Sequence, residues 1–244
     1  MQAGTLSATI RHSMAEQEHS ISLGGSLLYE KTQTPEIRTD FIRDLSSLFI
    51  DFSQQGYRFH IICGGGKLAR IYRDAARKLG VVDSRTLDNL GVIASHINAK
   101  LFGAALRSLG AEALYQTDPY RKKDVLISVS GGYGVGHTTD YVAVKTSILY
   151  GLSEIVNLTD VPGIHPQAGT ELDKSKIISQ LTWTEFTAMQ KEIYAPGMST
   201  PFDPIAAIEA QKNKITAVIL SGSDLLNFEC YLKGETFKGT VITP

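Results

Sequence analysis

The sequence predicts an α/β fold whose mainly parallel sheet is covered by helices on both faces. Short apolar, β-branched runs alternate with longer segments of helical character along most of the chain. Three of those runs end in paired or tripled glycines, at Gly24, Gly64 and Gly131. With 244 residues, 43% hydrophobic and 20% charged, the chain is long enough and apolar enough to bury a large core. Parallel neighbours need crossover connections, and helices between strands supply them.

Ser20 to Leu23 reads as a buried strand entering the Gly24–Gly25 turn. Thr34 and Pro35 then offer a cap and a first-turn proline, and Ile37, Phe41, Leu45, Leu48 and Phe52 recur at helical spacing up to Gly56. A second strand, Phe59 to Cys63, runs into Gly64, Gly65 and Gly66, and the helix Lys67 to Leu79 closes at Gly80. Thr86 to Leu109 has the pattern of a long helix. Val125 to Val129 forms the strand before Gly131 and Gly132, and Thr138 to Tyr150 the next helix. Ile155 to Leu158 and Ile215 to Leu220 are further strands, Thr182 to Lys191 and Asp203 to Lys212 further helices, and Val241 with Ile242 an edge strand. One domain spans residues 20–244. Met1 to His19 is polar and non-periodic and reads as a flexible extension.

Composition narrows the function. Twenty-four basic against 25 acidic residues leave a net charge of -1, which gives no global field toward a nucleic acid polymer or an anionic membrane. Any anion must be bound locally. No window reaches the roughly 18 consecutive apolar residues of a membrane span, and the N-terminus lacks a signal-peptide core. Cys63 and Cys230 are too few for a disulfide framework, so a cytoplasmic location is expected. Six scattered histidines show no paired ligand spacing, and Trp183, Phe186 and Met189 read as helix packing.

In a parallel sheet the strand ends converge on one edge, so the glycine turns should line one crevice. Glycines let backbone amides approach an anion closely, and helix starts add partial positive charge. Phosphate is the natural guest. Neither a G-x-x-x-x-G-K-[ST] loop nor a strand-linked G-x-G-x-x-G with a suitably placed acid is present.

The strings ISLGGSLL at 21–28, ICGGGKLARIYRDAA at 62–76, SGGYGVGHTTDYVAV at 130–144, NLTDVPGI at 157–164, FDPIAA at 202–207 and the terminal GTVITP occur in that order. Together they resemble the amino acid kinase family, and within it archaeal-type uridylate kinases. The resemblance implies a three-layer αβα sandwich, usually hexameric, that moves the γ-phosphoryl group of ATP, with Mg²⁺, onto UMP. In that reading Gly24, Gly25 and Ser26 meet the transferring phosphate, and Asp140 organises the catalytic groups. Gly64, Gly65 and Gly66 open the acceptor side, Arg70 grips the UMP phosphate with Lys67 in support, and Asp88 accepts hydrogen bonds from the ribose. Gly132, Thr138 and Thr139 close over the nucleotide, while Thr159, Asp160, Gly163 and Asp203 belong to the donor side. Asp88 has a purely structural alternative as a helix cap, and Asp140 as a favourable charge at a helix start.

Departures from the pattern are informative. Two positions where family kinases commonly carry lysine hold Ser22 and Ile208 here, with Lys67, Lys145 and Lys212 as possible substitutes. TDVPG also resembles acetylglutamate kinases, which keeps a kinase for another acceptor open, acetylglutamate-like or a small phosphate. The missing lysines keep open a non-catalytic nucleotide-binding or molybdenum-storage member.

Overall fold

The computed structural model describes residues 17–32, 34–168, 171–173, 175–193 and 200–244. The main sheet has eight strands. They are β1 (Glu18–Leu23), β2 (Arg58–Cys63), β3 (Ala113–Gln116), β4 (Ile127–Ser130), β5 (Glu154–Thr159), β8 (Gln180–Thr182), β9 (Thr216–Ser221) and β10 (Thr240–Thr243). β6 (Gln167–Ala168) and β7 (Glu171–Leu172) form a separate two-stranded ribbon. Among the described residues seven α-helices accompany them: α1 (Thr39–Gln54), α2 (Gly66–Lys78), α3 (Ser84–Ser108), α4 (Thr139–Tyr150), α5 (Trp183–Ile193), α6 (Pro204–Lys212) and α7 (Leu225–Leu232).

The strand order is β3-β4-β2-β1-β5-β9-β10-β8, parallel throughout except where β10 meets β9. Alternation along each strand feeds two cores. Ile21, Leu23, Phe59, Ile61, Val156 and Leu158 pack on the α1, α3 and α7 side, where Phe49 touches Phe59 at a ring separation of 4.8 Å. Ile62, Ile155, Ala217 and Ile219 face the α4, α5 and α6 side, where Trp183 is fully buried and donates from Nε1 to the Ile215 carbonyl at 2.8 Å. The αβα sandwich is thereby established. The α4-facing residues of β1 are the hydroxyls Ser20 and Ser22, and Ser20 donates to the Ala143 carbonyl at 2.9 Å.

Several elements differ from the sequence expectation. Helix α1 starts at Thr39 rather than after Thr34–Pro35, because Tyr29 and Ile37 form an antiparallel bridge that holds the intervening chain as a loop. Glu18 and His19 belong to β1, where Glu18 meets His60 at 2.8 Å, while residues 1–16 of the expected extension lie outside the described residues. β10 is not an edge strand, since β8 pairs beyond it. β3 and β8 carry too few apolar residues to announce themselves in the sequence, and α7, though apolar, is only eight residues long, too short to show a helical period.

Candidate active site

β4, β2, β1 and β5 are consecutive and parallel, so their carboxyl ends and the turns after them share one edge. The turns are tied to each other by backbone. The Gly24 amide donates to the Leu158 carbonyl at 2.8 Å, and the Gly64 amide to the Leu23 carbonyl at 2.8 Å. A Cβ on Gly25 would lie 2.1 Å from the Gly64 carbonyl oxygen, and one on Gly66 would lie 2.2 Å from the Gly25 carbonyl carbon. Only glycine permits that contact, and Gly66 also has φ +54°. Gly131 rests on α3, where a Cβ would come within 2.7 Å of the His96 amide nitrogen. The first two glycine turns therefore touch directly, and the third joins them through Ser95 of α3 on the same edge.

Asp140 stands in the first turn of α4, whose cap Thr138 accepts from the Tyr141 amide at 3.3 Å. Its Oδ1 accepts from the Ser22 hydroxyl at 2.7 Å and its Oδ2 from the Asp203 amide at 3.1 Å. Burial pushes its carboxyl up to about 6, raised further by the nearby Asp203 charge and opposed by these two hydrogen bonds. The carboxylate joins β1, α4 and the start of α6. Ser22 thus supplies Asp140 with a neutral hydroxyl donor from the neighbouring strand.

Between α2, α3 and the 132–139 segment lies a cavity of about 290 Å³. Its inner end is formed by Gly65, Ser95 and Gly132, where the Gly132 amide donates to Ser95 Oγ at 2.7 Å. Its outer end holds Asp88, and Arg73 also lines the cavity, its guanidinium beside Gly91, whose carbonyl lies against Gly65. Asp83, not Asp88, caps α3 by accepting from the Thr86 amide at 2.8 Å, which leaves the Asp88 carboxylate to line the cavity. Thr138, Thr139 and His137 supply the opposite wall, the His137 ring stacked on Tyr141 at 4.3 Å. An amide-rich inner end and a carboxylate at the outer end suit a phosphate joined to a polyol.

Other expected site residues sit elsewhere. Exposed Arg70 does not line this cavity; its Nη2 donates to Ser26 Oγ at 3.2 Å, so it stands at the turn after β1. Lys67 binds the carbonyls of Thr32 and Thr34, bracing the loop after Leu28. Asp203 caps α6 by accepting from the Ala206 amide at 2.7 Å, and the carbonyl of Thr159 accepts from the Gly222 amide at 2.9 Å. Asp160 is exposed beside that turn, whereas Gly163 is buried against Ile177 and Thr240. Ile208 is 59% exposed on α6, and Lys145 is paired with Glu209 at 3.1 Å. Arg73 and Ser95 went unnoticed in the sequence. Gly65, Ala69 and Arg73 follow each other at four-residue spacing along one face of α2, the signal that marks Arg73.

The sequence model of the amino acid kinase family matches residues 21–221. A uridylate kinase of Haloquadratum walsbyi is 30% identical over 234 residues, covering 92% of each chain, and one of Hyperthermus butylicus is 30% identical, covering 87% of this chain and 94% of its own. The crystal structure of a uridylate kinase from Archaeoglobus fulgidus superposes with a TM-score of 0.74 at 28% identity, covering 91% of this chain and 98% of that one. A UMP kinase of Bacillus anthracis, 21% identical, shares the fold with a TM-score of 0.75 over 93% and 96% of the two chains. Matched over most of its length and carrying its glycine turns on one sheet edge, the chain belongs to the amino acid kinase family.

Proposed function

We propose that the protein is an ATP-dependent kinase that transfers the γ-phosphoryl group of ATP to UMP, giving ADP and UDP. The observation that carries the proposal is the cavity, whose inner end abuts the Gly25–Gly66 contact and whose outer end presents Asp88. A UMP phosphate oxygen attacks the γ-phosphorus in line, the bond to the ADP oxygen breaks, and no covalent enzyme intermediate forms. UMP would lie with its phosphate against the Gly65 and Gly66 amides and its ribose hydroxyls on Asp88. The turns after β5 and β9, with Thr159, Asp160 and Asp203 nearby, would form the donor side.

Positioning and charge neutralisation dominate such a transfer. The Gly25 amide would face the transferring group, and Arg70, held by Ser26, would supply the cation beside it. Asp140 accepts one hydrogen bond on each oxygen, from the Ser22 hydroxyl and the Asp203 amide, and is assigned the fixing of β1 against α6. Mg²⁺ fits as a guest of the triphosphate: among the described residues no group of three metal-ligating side chains converges, so phosphate oxygens would supply most of its ligands. Bound there, it would neutralise charge developing on the β- and γ-phosphates.

The test is acceptor-dependent ADP release from ATP and Mg²⁺ with UMP, acetylglutamate or isopentenyl phosphate. UMP alone should support turnover. Turnover only with another acceptor, or tight ATP binding with none, would replace the proposal by that other kinase or by a storage protein. A cytoplasmic location and a homohexamer complete the proposal, the latter read by light scattering as six times 26.6 kDa.

A further inference from the structure

Asn98 lies in the interior of α3, 1% exposed, in the row that also buries Ala94, Phe102 and Leu106. A polar amide in such a place destabilises the fold unless its hydrogen-bonding groups find partners. Both ends of this one are used. Nδ2 donates to the Gly64 carbonyl at 2.7 Å and to the Gly65 carbonyl at 3.3 Å, and Oδ1 accepts from the Tyr29 hydroxyl at 2.7 Å. Carbonyls only accept, so the NH₂ group must face the glycine turn, and the Tyr29 hydroxyl holds the other end as the acceptor. Burial raises the Tyr29 phenol above its ordinary range, which keeps it a donor.

This arrangement sets the direction of two backbone amides. In a planar trans peptide the C=O and the N–H point opposite ways. The Gly64 carbonyl shares its peptide with the Gly65 amide, and the Gly65 carbonyl with the Gly66 amide. With both carbonyls turned onto Asn98, both amides are turned away from the interior of α3. The Gly64 amide is already used on the Leu23 carbonyl, so those of Gly65 and Gly66 are the donors this turn can offer. The Gly65 carbonyl also accepts from the Ala69 amide at 3.1 Å, so Asn98 matters most for the Gly64 carbonyl and hence for the amide of Gly65, which lines the cavity. Ser95, three residues earlier on α3, acts in the opposite sense on the third glycine turn, where its hydroxyl accepts from the Gly132 amide and withdraws that donor.

We propose that Asn98 is a positioning residue of the acceptor site: its amide, oriented by Tyr29, holds the Gly64–Gly65 turn so that the N–H groups of Gly65 and Gly66 are presented to the acceptor phosphate. It touches no substrate itself. The inference rests on the acceptor reading of the cavity. Its effect falls on the phosphate rather than the nucleoside, because Asp88 stands about three turns earlier on α3 and has no part in the Tyr29–Asn98 chain.

The experiment compares wild type with Asn98→Asp, Asn98→Ala and Tyr29→Phe. It reads KM for UMP, the inhibition constant of uridine against UMP and KM for ATP, with a melting temperature for each protein. Uridine carries the base and ribose without the phosphate. Either Asn98 variant should raise KM for UMP about tenfold, with the uridine constant and KM for ATP changed less than about twofold. Tyr29→Phe, which keeps the ring, should raise KM for UMP about threefold with the same selectivity. Equal weakening of UMP and uridine, or a lowered melting temperature with KM for UMP unchanged, would overturn the inference by leaving Asn98 a packing role alone. Should the Asn98 variants fail to fold, Tyr29→Phe decides by the same constants. A wild type that does not turn over UMP, or binds uridine as tightly as UMP, would sink the acceptor reading and the inference with it.

Discussion

Asp140 is the residue at which burial, hydrogen bonding and the family pattern intersect. Its carboxyl titrates near 6 in the fold, against 3.8 for an ordinary aspartate. A raised folded value means that the uncharged form is favoured by folding, so this stabilisation is complete below about pH 4 and is lost as pH rises through about 6. Asp140→Asn, which never ionises, should therefore match wild-type stability at about pH 4 and exceed it by about 1 kcal/mol or more at about pH 8, as urea midpoints would read. The same variant should lose at least about 100-fold in kcat, because the β1 and α6 tether is altered. Ser22→Ala leaves one carboxylate oxygen without its donor and should push the Asp140 carboxyl higher still, moving the stability loss to higher pH.

The elements show which parts of the fold could be read from the chain. Glycine turns after β1, β2 and β4 were legible because backbone contact at 2.1 Å admits no other residue, and Gly25→Ala should cost about 3 kcal/mol or more. Melting temperature and recovery of folded protein check this. Helix starts were less legible. Thr34–Pro35 carries a cap signature, yet the Tyr29–Ile37 bridge claims that segment; Asp83 caps α3 three residues ahead of the expected start at Thr86. Asp83→Ala should cost about 1 kcal/mol and raise KM for UMP severalfold by loosening the turn that carries Asp88. Arg70 and Arg73 lie one turn apart on α2, and periodicity alone gives no means of deciding which enters the cavity. That depends on where α3 crosses, at Gly91, which the chain order does not reveal.

At the scale of the whole molecule, the strand order places β1 and β5 side by side in the middle of the sheet, with the chain leaving β1 toward β2 on one side and β5 toward β9 on the other. Ligands bind at such a switch point because diverging connections open a crevice there. Two independent cores hold this edge rigid, one on each face, so the amides are set before any nucleotide arrives. The expected fold class followed from alternation and glycine placement, while the division of labour within the site needed three dimensions. A crystal structure with UMP and a non-hydrolysable ATP analogue is the most direct measurement. UMP should occupy the cavity with its phosphate on the Gly65 and Gly66 amides, its ribose on Asp88 and the analogue's γ-phosphate at the Gly25 amide. Nucleotides bound away from these turns, or a UMP phosphate seated at Asp88 with the base inward, would contradict the account.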